Sequence, residues 1–342
     1  MNEAIDWQLA ATTAVRFAPS GPDIDVDDAR AAVRDLRACA VAAIAPVRDV
    51  TGLVAPDSHP ASVVDRREWI ASNISGLQEV LGRWPLLAER AEAAPAVVRE
   101  LGSRGTALQL GAVLAWLSTK VLGQYEIFAQ RPGRLLLVAP SIVQAEQALD
   151  IPPHDFRLWV CLHEETHRVQ FGAVPWLGDH LIGLIVRFLD ASELGLRETL
   201  MRCAEVVYAA VRSIRSEVDV MHSLLSPAQR IILDDVTAVM TLLEGHADVV
   251  MDAVGPQVVP SVALIRQRFT ERRENPSAVD AVMRKAMGMD AKFRQYSEGA
   301  AFVRSIVTEV GMEGFNKIWH SPETLPTRRE IDDPQSWLAR VA

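Results

Sequence analysis

Hydrophobic and polar positions along this chain follow mainly the period of an α-helix. Apolar residues recur three and four positions apart over long stretches, which is the pattern of a helix that buries one face. We predict helices at about residues 28–50, 64–81, 86–103, 105–123, 155–171, 179–190, 196–224, 227–253, 262–273, 277–287 and 291–310. The chain is therefore expected to be mainly α.

One apolar run is too short for this pattern. It begins at Arg134 after Gly133, continues as a run of leucine and valine, and is bounded by Pro140. Its length and flanking residues favour a strand over residues 134–142, although periodicity alone also fits a buried helix. We expect a small β element beside the helices.

The composition is that of an ordinary globular protein. The 342 residues are 49% hydrophobic and 23% charged, which provides for a large core and excludes wholesale disorder. The net charge of −9 disfavours nucleic acid as a partner, because binding to phosphates needs a basic surface. We therefore expect no nucleic acid among the partners.

Three features favour a cytoplasmic protein without a membrane span. The three cysteines are widely spaced and do not form the dense framework of a small secreted domain. Glu3 and Asp6 stand where an export signal would carry basic residues. The longest uncharged stretch, residues 105–119, is shorter than the roughly 20 apolar residues that cross a bilayer.

A metal-binding motif lies in the predicted helix at 155–171. The residues from His163 to His167 read His-Glu-Glu-Thr-His, which is the HExxH signature of a zinc hydrolase. The two histidines lie one helical turn apart on one face, so both imidazoles can bind one ion. Glu164 lies about 100° round the helix, where its carboxylate could take a proton from water. A random order of these residues would contain the motif roughly 0.01 times.

The third ligand must come from elsewhere in the chain, because a catalytic zinc usually has three protein ligands. The longer motif with a third histidine is excluded, since Gln170 and Ala173 replace its glycine and histidine. Glu244 and His246, in the helix predicted at 227–253, are the two candidates. They lie about 200° apart, so a regular helix cannot direct both at the ion. Glu244 is favoured because Asp248, one turn later, could accept a hydrogen bond from a ligand histidine.

Taken together, these motifs resemble a family of actinobacterial zincin-like hydrolases, also described as zinc-dependent metalloproteases of zincin type 2. Its genes are often associated with deazaflavin-coenzyme biosynthesis. The resemblance is carried by residues 163–171, 174–177 and 244–248, with further similarity at 121–125, 137–140 and 325–337. It implies a zincin-like, mainly helical fold with an HExxH active-site helix. We expect a helical region of residues 1–125 packed on a metal-binding catalytic region of residues 126–342, in one continuous globular unit.

The leading hypothesis is a zinc metallopeptidase of the glutamate type. Zn²⁺ on His163, His167 and Glu244 would bind a water molecule, and Glu164 would activate that water to attack a peptide or amide carbonyl. Tyr296 and His246 are the candidate donors for stabilising the oxyanion. The substrate is expected to be a peptide or a small-molecule amide.

Two alternatives stay open at the level of sequence. The protein could be a non-catalytic helical interaction protein with a structural or vestigial zinc site, which would need a fourth protein ligand if the site were closed. It could also be a metalloenzyme that acts on a non-peptide amide or ester, because substrate choice depends on pocket walls that the motif does not specify.

Overall fold

Helices dominate the computed structural model, which describes residues 5–55, 60–84, 96–129, 133–191, 225–274 and 289–341. For residues 96–99, 272–274 and 289–296 only the backbone is described. The helices are α1 (Trp7–Phe17), α2 (Val26–Thr51), α3 (Arg66–Gly82), α4 (Ala96–Leu117), α5 (Ala139–Leu149), α6 (Pro153–Ala173), α7 (Pro175–Asp190), α8 (Pro227–Val254), α9 (Val262–Glu274), α10 (Met289–Phe315), α11 (Arg328–Asp332) and α12 (Pro334–Val341). The prediction of a mainly α fold is confirmed.

Three short strands form one small sheet. They are β1 (Ser62–Val64), β2 (Gly123–Glu126) and β3 (Arg134–Val138), in the order β1-β3-β2. β1 runs parallel to β3, and β2 pairs with it antiparallel, with Gly123 opposite Leu137. The sheet therefore joins the predicted region of residues 1–125 to the predicted region of residues 126–342, and the boundary between them lies inside β2.

The predicted strand at 134–142 is half right. Residues Arg134–Val138 form β3, but the chain turns directly into α5 at Ala139. Pro140 lies in the first turn of α5, where proline fits because its missing N–H would have no helical partner. The helix predicted from residue 64 starts at Arg66, because Asp65 caps it in a reciprocal pair with Glu68, and Val64 belongs to β1.

The helices predicted at 86–103 and 105–123 form one helix, α4, over the residues from Ala96 to Leu117. The predicted end at residue 123 is wrong, because residues 118–122 are not helical and Gly123 begins β2. Residues 85–95 lie outside the described part of the chain, as do the predicted helices at 196–224 and 277–287. Four described helices, α1, α5, α11 and α12, were not predicted.

The core lies on both sides of α6. On one side, Leu36 of α2 packs in a cluster with Phe156 and Leu162 of α6 and with Val250 of α8. A second cluster joins α7, α8 and α10 to the C-terminal helices. α6 therefore runs through the interior and places its motif next to α8.

Among the described helices, none alone has the length and apolar character needed to cross a membrane. α6 and α7 meet that criterion only as a pair, and the pair is bent by 94° at Val174.

Candidate metal centre

The helix that carries the motif is defined by proline at both ends. Pro153 lies in the first turn of α6, and α7 starts at Pro175 directly after Val174. Between them, the uninterrupted α6 holds His163 and His167 one turn apart, with their ring centroids 4.7 Å from each other and the planes nearly perpendicular. The local helix is thus sufficient to bring the two imidazoles together.

Glu244 comes from the middle of α8. This helix starts with a capping box between Ser226 and Gln229 and ends at Gly255, whose positive φ of 69° suits glycine. A hydrogen bond of 2.9 Å from Nε2 of Gln170 to the carbonyl oxygen of Leu243 ties α6 to α8 beside Glu244. The two helices are held together at the motif itself.

Three ligand atoms converge at this crossing. Nε2 of His163 lies 3.1 Å from Nε2 of His167, and Oε2 of Glu244 lies 3.4 Å and 3.6 Å from those two nitrogens. His163, His167 and Glu244 thus form one group whose atoms could hold a metal ion. We call it the His163–His167–Glu244 group.

This group fits a zinc ion. Tetrahedral zinc with bonds of about 2.05 Å to nitrogen and oxygen separates its ligand atoms by about 3.3 Å, close to the three distances above. Two histidines and a glutamate are a known catalytic zinc set that leaves one position open. Oε2 of Glu244 is buried and makes no hydrogen bond of normal geometry with the described residues. An unsatisfied buried carboxylate oxygen aimed at two imidazoles is a natural cation ligand.

The charges of the group also favour a cation. Burial would raise the pKa of Glu244, but contact with His163 and His167 outweighs burial and holds this pKa well below its usual range. Burial would lower the pKa of His167, but Glu244 outweighs it and raises this pKa to about 9. The group therefore stabilises positive charge next to the Glu244 carboxylate, and a bound metal cation would provide such a charge.

Glu164 lies beside the group in a space that Gly123 leaves free. Burial raises the pKa of Glu164, against the lowering effect of His163 and His167. A Cβ atom at Gly123, the first residue of β2, would lie 2.5 Å from Cγ and 2.6 Å from Cδ of Glu164. Only glycine at this position of the strand leaves room for the carboxylate.

Gln170 fixes the orientation of His167. Because the carbonyl oxygen of Leu243 can only accept, the atom of Gln170 that faces it is the NH₂ nitrogen. The amide oxygen then faces Nδ1 of His167 at 2.8 Å and accepts its proton. In the neutral ring, Nε2 of His167 is left with a lone pair directed at the other two ligand atoms.

His246 lies outside the ligand group, although the sequence made it the competitor of Glu244. It is fully buried, with its ring 5.1 Å from that of Phe315 and 5.6 Å from that of Trp319, measured between centroids. Its Nδ1 lies 3.0 Å from Nε2 of Gln170. Burial and the charge of His167 lower its pKa to about 3, so it is neutral. Because of its large angular offset from Glu244 on α8, His246 contacts Gln170 and does not face the ligand atoms.

Asp248 does not orient a ligand histidine, and that interpretation of its spacing needs correction. Its carboxylate is directed to the side of α8 that faces α9 and α10, where it pairs with Arg266 at 3.0 Å and Arg304 at 3.2 Å. The orienting role falls to Gln170 instead. Tyr296 lies on α10, but its side chain is outside the described residues, so its proposed role stays a prediction.

Two residues of the site were not predicted from the sequence. Gln170 follows His167 by three positions and shares its helix face, so helical spacing could have indicated it. Gly123 could not have been found in this way, because its importance depends on how β2 lies against α6. Glu165 is also buried, in an ion pair with Arg168 of the same helix.

The chain is similar to a known protein family and to a solved structure. A model of the zincin-like metallopeptidase family matches residues 5–338. A crystal structure from Chloroflexus aurantiacus, described as "a putative hydrolase with a novel fold", is similar over 98% of each chain, with 28% sequence identity and a TM-score of 0.69. No curated protein matches the chain. From the extent of the family match, the chain belongs to the zincin-like metallopeptidase family.

Proposed function

We propose that this protein is a zinc-dependent hydrolase of the glutamate type that cleaves peptide or other amide bonds. The observation that carries the proposal is the convergence of His163, His167 and Glu244 on one point. Membership of a metallopeptidase family supports the same reaction class.

His163, His167 and Glu244 would hold the ion, and the carboxylate of Glu164 would handle the proton. A bound zinc ion supplies a Lewis acid that lowers the pKa of water and polarises a carbonyl group. Glu164 accepts a proton from the attacking water and delivers it to the leaving nitrogen, as a general base and then a general acid. The buried position of its carboxylate keeps bulk water from competing for that proton.

Gln170 and Gly123 serve the same chemistry by positioning His167 and Glu164. Gln170 keeps Nε2 of His167 directed at the ligand position, and Gly123 keeps the space for the Glu164 carboxylate. The association with deazaflavin-coenzyme genes stays a prediction, and so does the expectation that the substrate is a peptide or a small-molecule amide.

The test compares Glu164→Gln with the exposed control Glu313→Gln. Hydrolysis of a peptide library is measured by mass spectrometry, and bound zinc by elemental analysis. We expect Glu164→Gln to lose about 10²–10⁴-fold in rate while retaining its zinc, and the control to match the wild type. Equal hydrolysis by both variants would overturn the catalytic role of Glu164. Zinc binding without hydrolysis in the wild type would favour the non-catalytic alternative.

A further inference from the structure

A second cluster of potential metal ligands lies at the other end of the active-site helix. Asp35 and Cys39 stand one turn apart on α2, and His154 is the second residue of α6. Sγ of Cys39 lies 3.7 Å from Nδ1 of His154 and 3.9 Å from Oδ1 of Asp35. The same two atoms of His154 and Asp35 lie 2.8 Å apart. Three potential ligand atoms thus face a common point, and we call them the Asp35–Cys39–His154 cluster.

This cluster is not a nucleophilic triad. In such a triad the imidazole contacts the thiol with one nitrogen and the carboxylate with the other, whereas His154 contacts both through Nδ1. Cys39 is only 1% exposed, which leaves no path for a substrate to its sulfur. Burial, with a contribution from Asp35, raises the pKa of the Cys39 thiol to about 12, the opposite of an activated cysteine.

The surroundings of Asp35 are those of a supported metal ligand. Arg157 donates a hydrogen bond of 3.1 Å to Oδ2 of Asp35, so Oδ1 stays directed at Cys39 and His154. Arg157 also binds both carboxylate oxygens of the buried Glu146. Hydrogen bonds to the far side of a ligand carboxylate are the usual support of metal sites.

The charge balance matches a divalent cation. Asp35 and Glu146 carry two negative charges and Arg157 carries one positive charge, which leaves one negative charge at the cluster. A Cys39 thiolate would add a second, and a neutral His154 would add none. A dipositive ion would therefore neutralise the cluster, whereas a monovalent ion would not.

We propose that Asp35, Cys39 and His154 form a second metal site, suited to zinc, that joins α2 to the start of α6. Tetrahedral zinc separates a sulfur and a nitrogen ligand by about 3.6 Å, and the corresponding atoms of Cys39 and His154 lie 3.7 Å apart. The shorter contact between His154 and Asp35 has room to open, because the His154 side chain is 64% exposed. A thiolate ligand favours zinc over magnesium or calcium.

The site is separate from the catalytic group. His154 and His163 are nine residues apart on α6, which is about 13 Å along the helix. This exceeds the roughly 3.5–4 Å of a two-metal centre. The second ion would fix the N-terminal end of the helix whose middle carries His163 and His167.

Cobalt substitution tests the proposal through the sulfur ligand, because only the Asp35–Cys39–His154 cluster contains a cysteine. A thiolate bound to Co²⁺ gives a charge-transfer band in the near ultraviolet, and the His163–His167–Glu244 group has no sulfur. We expect the band in the wild type and in the control Cys203→Ser, and its loss in Cys39→Ser. His154→Ala, a change at an exposed position, should weaken Co²⁺ binding at this band without disturbing the core.

The outcome can be separated from that of the proposed function. In His163→Ala the band should persist, because the cluster does not depend on the catalytic ligands. Absence of the band in wild-type protein saturated with Co²⁺ would overturn the proposal. Persistence of the band in Cys39→Ser at unchanged affinity would do the same, since the sulfur would then come from another residue.

Discussion

At the residue scale, the positions of the site side chains depend on the space around them as much as on their chemical type. Glu164 has its position because Gly123, on the neighbouring strand, has no side chain. His167 has its orientation because the amide of Gln170 can be placed in only one way against the carbonyl oxygen of Leu243. Both dependencies lead to predictions that leave the three ligands unchanged.

Replacing Gly123 with alanine should damage catalysis and spare metal binding. The new Cβ would overlap the side chain of Glu164 and displace its carboxylate. We expect hydrolysis to fall by about 10²-fold or more, with zinc content unchanged. The control is Gly105→Ala, where a Cβ meets no atom within 4 Å. A fully active Gly123→Ala protein would show that Glu164 does not need this space.

Replacing Gln170 with leucine should weaken zinc binding. His167 loses the acceptor of its Nδ1 proton, and loss of such a partner typically costs about 10–100-fold in metal affinity. Competition with a chromogenic chelator measures the dissociation constant, and the exposed Gln147→Leu serves as control. ¹⁵N NMR of His167 in metal-free protein, recorded above its pKa of about 9 so that the ring is neutral, should show a smaller share of the Nδ1–H tautomer. Unchanged affinity and tautomer would contradict the role of Gln170.

Part of the candidate site could be predicted from the sequence. The HExxH spacing is local and follows from the helical period, so His163, Glu164 and His167 could be placed on one helix without a structure. Asp248 was misplaced for a related reason. Residue spacing predicts which face of a helix a residue occupies. It does not predict that Arg266 and Arg304, on neighbouring helices, form ion pairs with the carboxylate of Asp248.

At the scale of elements, the position of Glu244 depends on a close crossing of α8 and α10. A Cβ at Gly245 would lie 2.1 Å from the carbonyl carbon of Gly299, and a Cβ at Gly299 would lie 2.0 Å from the carbonyl oxygen of Thr241. The two backbones are therefore in direct contact one residue after Glu244. Backbone atoms cannot move aside as a flexible side chain can.

Gly299→Ala should therefore destabilise the protein. We expect a loss of about 1–3 kcal/mol in the free energy of unfolding, the usual cost of overpacking a core. Urea unfolding in excess chelator measures this loss without a contribution from bound metal. Gly82→Ala is the control, because nothing lies within 4 Å of its added Cβ. If the two variants unfolded at the same urea concentration, the close crossing would be refuted.

Most long helices were predictable, because a buried face repeats its apolar residues over many turns. α2, α6 and α8 begin and end within a few residues of their predicted bounds. The strands were harder, since β1 and β2 have only three and four residues and depend on pairing with β3. α5 was missed because its apolar start continues the run of β3 without a polar break.

At the scale of the whole molecule, the site depends on contacts between distant parts of the chain. Glu244 is far from His167 in sequence, and their meeting requires α6 and α8 to pack side by side in the interior. The local sequence pattern indicated both motifs, but it did not indicate how close the two motifs lie in the folded chain. The convergence of the three ligand atoms is therefore the most informative feature of the structure, and the claim on which the proposed function depends.

The most direct test of that claim is the zinc content of purified protein after dialysis, measured by elemental analysis for the wild type, Glu244→Ala, His246→Asn and the control Glu313→Ala. Circular dichroism confirms that each variant is folded. We expect Glu244→Ala to lose one zinc ion per chain relative to the wild type, because two imidazoles alone do not complete the site. His246→Asn and Glu313→Ala should retain it. Equal zinc in Glu244→Ala and the wild type, or no zinc in any of the proteins, would refute Glu244 as the third zinc ligand.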